Sequence, residues 1–339
     1  MDGSHPASSS VTTAPAVAMR SRPLARLWSF LGQDGQLKAL LILGIIAADL
    51  LLITAKGLVV PLRDMLAPLL MTGLLVGVGY FYHRIRPVPQ FVLCAVTLVQ
   101  MVLFPAAFMV LMYSLAAGEA SLADELLMRV DQWFGVAIPE VVTWVRAHPV
   151  VNIPLAFSYD TLIPQTALVI IILGLRGDRR PLETFLLRFM LGALLTAVVF
   201  IWLPAAGPFH AYGFAPSAAQ ARYLAHLEGL REGTRFVVTW NGAEGLITFP
   251  SFHTTWALLL ALAVRHRRVL FTCSLVLNVA VVISTLTTGW HYFADVLGGL
   301  VVTAVVVLIT TALSGWLYPT RAVPAAAGAA RPAVTPVRG

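Results

Sequence analysis

The sequence predicts an all-α protein: a polytopic membrane bundle of about eight transmembrane helices, with the last five or six forming its core. Three observations predict it. Hydrophobic residues make up 58% of the chain and charged residues only 12%, about half the charged share of a soluble domain. Several apolar runs approach the roughly 20 residues needed to cross a bilayer. The basic residues behind the net charge of +7 are scattered among short loops, a pattern of positive membrane faces rather than of a nucleic-acid-binding domain.

Residues 1–36 read as a disordered and interfacial tail. The stretch to Met19 is Ser, Thr, Ala and Pro without a signal-peptide core, and Leu24–Phe30 suits a short amphipathic piece. Accessory spans fill 37–117. The first, about Leu37–Ala55, contains Asp49; an intramembrane carboxylate marks a functional site by default, although Lys56, two turns on, offers a structural pairing. The second, about Leu66–Tyr82, carries Gly73, Gly77 and Gly79, small residues that let helices approach closely. The third covers about Pro89–Ala116. Cys94 and Cys273 both lie in apolar runs, so they read as free buried thiols, not a disulfide or metal framework.

Residues 118–157 are too charged to span. Asp124, Glu125, Asp131 and Glu140 alternate with Leu126, Leu127, Val130, Trp133 and Phe134, which suits an amphipathic outer-side segment. The core is expected over 158–318. Spans four and five run from about Tyr159 to Leu175 and Phe185 to Leu203, and a long loop follows, Pro204–Thr248. Spans six and seven make a hairpin from Phe252 to the Gly289-Trp290-His291 turn, and span eight runs from about Val296 to Leu317. Span six has only thirteen residues before Arg265, about 20 Å of helix, so it is expected to continue through Arg265 and His266. An Ala/Pro/Arg tail, 319–339, has nothing to pack.

With eight spans, both termini share one side. Sixteen of the 23 basic residues fall there and seven on the other. The positive-inside rule then places both termini in the cytoplasm, in a plasma or inner membrane. His253, His291 and both long loops fall on the periplasmic, extracellular or luminal side.

The hairpin carries the chemistry. It returns His291 to the level of His253, and His291 and Asp295 sit i, i+4 on one helix face. A carboxylate one turn from an imidazole can accept one ring N–H, fix the tautomer and leave the other nitrogen free to attack. A second imidazole suits proton transfer to a leaving oxygen near neutral pH. Ser251, after Pro250 at a helix start, can cap, and the N–H groups exposed there can bind an anion. A single histidine at a helix end is more often a capping or interfacial residue; two at matched depth, one with its Asp, are harder to ascribe to chance. Zinc ligation by His, His and Asp is the weaker chemical reading, since zinc sites recruit ligands at closer spacing or a fourth partner. No metal and no cofactor are expected.

At these residues the chain resembles the type 2 phosphatidic acid phosphatase superfamily of membrane lipid phosphatases and phosphotransferases. Pro250-Ser251-Phe252-His253 stands for that family's Pro-Ser-Gly-His, with Phe for Gly. Ser284, His291 and Asp295 match its second signature, with Thr285 where Arg is expected. The earlier Lys-x6-Arg-Pro signature is absent. His291-Tyr292 followed by Asp295 and Gly298-Gly299, with the Leu203–Pro208 loop, is similar to the branch containing inositol-phosphorylceramide synthases. The resemblance implies His291 as nucleophile, Asp295 as its orienting partner and His253 as general acid. It implies an enzyme whose partners are membrane lipids: a phospholipid donor, and a lipid alcohol or water as acceptor. The missing cationic cradle leaves His210, Arg222, Arg231, Arg235 and the neutral donor Asn241 as outer-side replacements, each of which, taken alone, is more often a solvated loop residue. Tyr159 and Asp160 are placed to bind a head group or to cap their helix. The competing class, a transporter or scaffold, would instead use Asp49 and the glycine-rich helix.

Overall fold

A computed structural model describes residues 23–317 except Thr234 and Asn241, with side chains from Gln33 onward. Residues 1–32 of the expected N-terminal tail, with the Leu24–Phe30 amphipathic piece, and the 319–339 tail lie outside the residues whose side chains are described, as does Asn241. The chain divides into two units, Met1–Gly32 and Gln33–Gly339; the histidines belong to the second.

The described chain is helical: α1 Pro23–Ala55, α2 Leu62–Arg84, α3 Pro89–Ala116, α4 Asp124–Trp133, α5 Ile138–Ala147, α6 Pro149–Tyr159 and α7 Leu162–Leu175. There follow α8 Arg179–Trp202, α9 Pro208–Ala211, α10 Ala218–Arg231, α11 Phe252–Ala263, α12 Arg268–Thr287, α13 Phe293–Ala312 and α14 Ser314–Leu317. Among the described residues six helices are long and apolar enough to cross a membrane: α1 from Gln33, α2, α3, α8, α12 and α13. The pair α6–α7 adds a seventh crossing if taken as one span, bent by 52°, and α11 is a shorter apolar helix beside them. Helices suit such a chain because they satisfy every backbone polar group internally where water is absent.

Side chains sort accordingly. Phe185, Leu182, Leu260 and Ile170 are buried where α7, α8 and α11 meet, while Leu70, Leu74, Val150 and Val269 point outward, as lipid-facing positions should. α2 buries no residue at all. Its Gly73 and Gly77 have no atom within 4 Å of a built Cβ, and only Gly79 meets a neighbour, the Ala95 Cβ at 3.3 Å. The expected close approach through Gly73 and Gly77 is not made among the described residues, because the α2–α3 contact runs along another face.

Three further expectations change. Span four does not start at Tyr159: α6, with Val150, Ile153 and Phe157 exposed, continues the apolar run upstream, and the 118–157 segment splits into amphipathic α4 and α5 plus apolar α6. α11 does not run through Arg265 and His266 but ends at Ala263. The cationic run there gains more from the turn, where Arg267 Nη2 donates to Asp178 Oδ2 at 2.8 Å. Lys56 does not pair with Asp49; its Nζ donates to the Ala117 carbonyl at 3.2 Å, and Asp49 is buried.

The Asp178–Arg267 contact fixes the geometry that matters. It ties the α7–α8 turn to the α11–α12 turn at one end of the bundle, so the starts of α11 and α13 lie at the other. Over that other end fold α4, α5, α9, α10 and the 232–251 loop. Val59 joins the loop across it, its N–H donating to the Phe236 carbonyl at 2.9 Å and its carbonyl accepting from Val238 N at 2.9 Å, and Glu244 N donates to the Tyr113 hydroxyl of α3 at 3.1 Å.

Candidate active site

The site is assembled from two helix starts. Ser251 caps α11: its Oγ accepts from Thr254 N at 3.2 Å, and its own N–H donates to the Asp295 carbonyl at 3.0 Å. Gly289, with φ of +77°, ends α12 in the left-handed conformation that favours glycine, and turns the chain so that Trp290 and His291 face back. α13 then begins with Asp295 reaching back, its Oδ2 accepting the Tyr292 N–H at 3.0 Å.

A second carboxylate secures the same helix start from outside. Asp131 of α4 accepts from Phe293 N at 3.0 Å and Ala294 N at 2.8 Å, satisfying N–H groups that a helix start leaves open. Burial pushes the Asp131 carboxyl above its usual range, and these two N–H bonds pull it back. Asp124, two turns earlier, binds the Ala206 and Gly207 N–H groups, each at 2.9 Å, and the Tyr292 hydroxyl at 2.8 Å. One helix thus pins both the 204–208 loop and the His291 turn. Neither residue was singled out by motif. The signal was present: Asp124, Leu127 and Asp131 lie on one face, all buried, whereas Glu125 and Arg129 pair on the exposed one.

His291 and Asp295 meet as their spacing predicts. Nδ1 of His291 lies 3.0 Å from Asp295 Oδ2, and both side chains are almost fully buried. A carboxylate there holds the Nδ1–H tautomer, which leaves Nε2 with its lone pair. Burial holds the His291 imidazole down to about 4, against an opposing pull from the Thr248 backbone. The ring is therefore neutral at pH 7, the form a nucleophile needs. His253 comes from α11, its ring centroid 5.6 Å from that of His291. It also stacks on Tyr159, with ring centroids 4.6 Å apart and planes at 22°.

Both imidazoles line a cavity of ≈ 390 Å³ with Tyr159, Asp160, Glu244, Thr248 and Thr288. Asp160 does not cap α7, whose N-cap is Thr161. Glu244 was not anticipated; it reaches the site because the loop carrying it is anchored on Tyr113. Among the described lining residues no Arg or Lys appears. Of the anticipated cations, Arg222 comes nearest, through its ion pair with Glu244 at 2.7 Å. His210 and Arg231 line a different cavity beside Leu122 and Glu228, and Arg231 donates to the Ala120 carbonyl at 2.6 Å. Arg235 lines a third, with Lys56 and Val59. Ser251 is fully buried and engaged as a cap, away from the cavity wall. Thr285, standing where an arginine was expected, is buried with its hydroxyl on the Val282 carbonyl.

No curated protein and no solved structure matches the chain significantly. One family profile does, that of the PAP2 superfamily, over residues 125–309, a span that takes in Asp131, His253, His291 and Asp295.

Proposed function

The chain belongs to the PAP2 superfamily, a membership that supports a lipid phosphatase or phosphotransferase kind of function, and we propose that it transfers a phosphate-containing head group, such as phosphoinositol, between lipids. The observation that carries the reading is the buried His291–Asp295 pair facing His253 across one cavity.

In the proposed reaction His291 Nε2 attacks phosphorus, the bond to the lipid oxygen breaks, and His253 gives that oxygen its proton. The negative charge of the bound phosphate favours the protonated imidazole His253 needs for this step. Asp295 holds the Nδ1 proton and offsets the positive charge that grows on His291. An acceptor alcohol then loses its proton to His253 as its oxygen attacks the phosphohistidine, and both histidines return to their starting state. Asp160 and Glu244 can accept hydrogen bonds from the hydroxyls of a polyol head group, which favours phosphoinositol over a bare phosphate. Arg222 would sit at the rim, where it can meet the phosphate charge if Glu244 turns to the substrate. The excess of basic residues at the far end supports a histidine cavity facing the periplasm, exterior or lumen, with the termini cytoplasmic.

The test uses phosphatidylinositol, phosphatidic acid and a prenyl diphosphate, each labelled in the phosphate, with and without lipid alcohols. Label in a new lipid is the expected result. Label released as free phosphate or phosphoinositol would show water to be the acceptor, and turnover that survives His291→Ala would sink the mechanism.

A further inference from the structure

Arg188 lies nine residues into α8, about 13 Å from the helix start, and is buried, with 7% of its surface exposed. An arginine at that depth in a membrane helix is costly and marks function by default. Its Nε donates to Thr310 Oγ1 of α13 at 2.8 Å. Thr310 is fifteen residues beyond Asp295, so this contact lies about 22 Å along α13 from the histidine cavity.

The two residues border a separate cavity of ≈ 370 Å³ between α8, α11 and α13. Its charged and ionisable lining is Arg180, Arg188, Arg265 and His266, and no carboxylate is among its described lining residues. Hydroxyls of Thr184, Thr310 and Thr311 add donors, and Phe185, Leu259 and Leu262 supply an apolar wall. The contrast with the histidine cavity, which is lined by two acids and no Arg or Lys, is complete.

We propose that this cavity binds a phosphate group, presented by an anionic phospholipid or as the free anion, at the bundle end opposite the histidines. Guanidinium groups match phosphate oxygens in geometry and charge. Basic pockets between membrane helices take acidic head groups, and the Phe185–Leu259–Leu262 wall suits the start of an acyl chain.

The experiment measures binding by native mass spectrometry and fluorescence titration of the full chain in neutral detergent. Phosphatidylglycerol, phosphatidylcholine and inorganic phosphate are compared on the wild type and on the double variant Arg180→Gln/Arg265→Gln. Both replaced residues are exposed, so folding should survive, and an unchanged melting temperature checks it. Arg188→Gln is the second variant, and neither variant touches the histidine cavity. Phosphatidylglycerol should bind at least tenfold more weakly to both variants than to wild type. Weakening confined to phosphatidylglycerol identifies a lipid head group as the ligand, and equal weakening for inorganic phosphate identifies the free anion. Unchanged binding of both ligands in the folded variants overturns the proposal, as does phosphatidylcholine binding the wild type as tightly as phosphatidylglycerol.

Discussion

Replacing Gly299 with alanine puts the contact between α11 and α13 under direct strain. A Cβ at Gly299 would stand 2.6 Å from the Ser251 carbonyl oxygen and 2.8 Å from Thr254 Cβ. Ordinary contact begins at 3.4 Å, so the start of α11 must retreat by about 0.8 Å, the difference between 3.4 and 2.6 Å. Neither obstacle is the end of a flexible side chain, and Thr255 Oγ1 also donates to the Gly299 carbonyl at 3.0 Å, so the helices move as bodies. Overpacking of this kind costs about 1–3 kcal/mol, of which the better helix propensity of alanine returns up to about 1 kcal/mol. The larger effect falls on chemistry, because α11 carries His253 and α13 carries the partner of His291. A misplacement near 1 Å costs on the order of 100-fold in rate, and roughly 10- to 100-fold is expected here, mainly in kcat. The assay is turnover of phosphate-labelled lipid, with melting temperature measured in the same detergent. Gly77→Ala, whose Cβ meets nothing within 4 Å, is the control and should behave as wild type. Wild-type turnover and melting in Gly299→Ala would refute the reasoning.

Other outcomes follow from the same geometry. Asp131→Ala leaves one buried and one part-buried N–H group at the start of α13 without an acceptor, at about 1–3 kcal/mol for the buried one; a marked fall in melting temperature and in turnover is expected, with Asp131→Asn, which keeps an acceptor, intermediate. Because burial holds His291 down to about 4, its nucleophilic form persists as pH falls through the ordinary histidine range. The acid limb of kcat/KM set by this group should therefore lie near pH 4, and a half-loss near pH 6.5 in folded protein would contradict it. Arg222→Gln, beside Glu244, should weaken turnover several-fold, whereas Arg235→Gln, which lines another cavity, should leave it within about twofold; equal losses would place the phosphate elsewhere.

The division between what was legible and what was not has a physical basis. Apolar runs announce membrane helices because lipid demands them over a fixed length, and the His291–Asp295 contact is local, one turn of helix. His253 was readable because a hairpin with a short turn fixes its own register. The support was not readable, since Asp131 meets Phe293 and Ala294 only through tertiary packing, and its spacing alone resembles that of any surface carboxylate. The anion-binding candidates are dispersed over several cavities for a related reason. His210, Arg231 and Arg235 belong to segments at the histidine end of the bundle, but the end a loop residue shares says nothing about which of three cavities it lines. The bend between α6 and α7 was hidden as well, because Tyr159-Asp160-Thr161 looks like a helix start whether or not another helix precedes it.

The central claim is that His291 carries the phosphoryl group. Wild-type protein is mixed with phosphate-labelled donor lipid without acceptor, quenched in alkali, where phosphohistidine survives, and digested for mass spectrometry. The label should appear on the peptide containing His291, persist when His253→Ala slows its release, and vanish in His291→Ala. Label on any other side chain, or full turnover with no labelled peptide under any quench, would contradict the account.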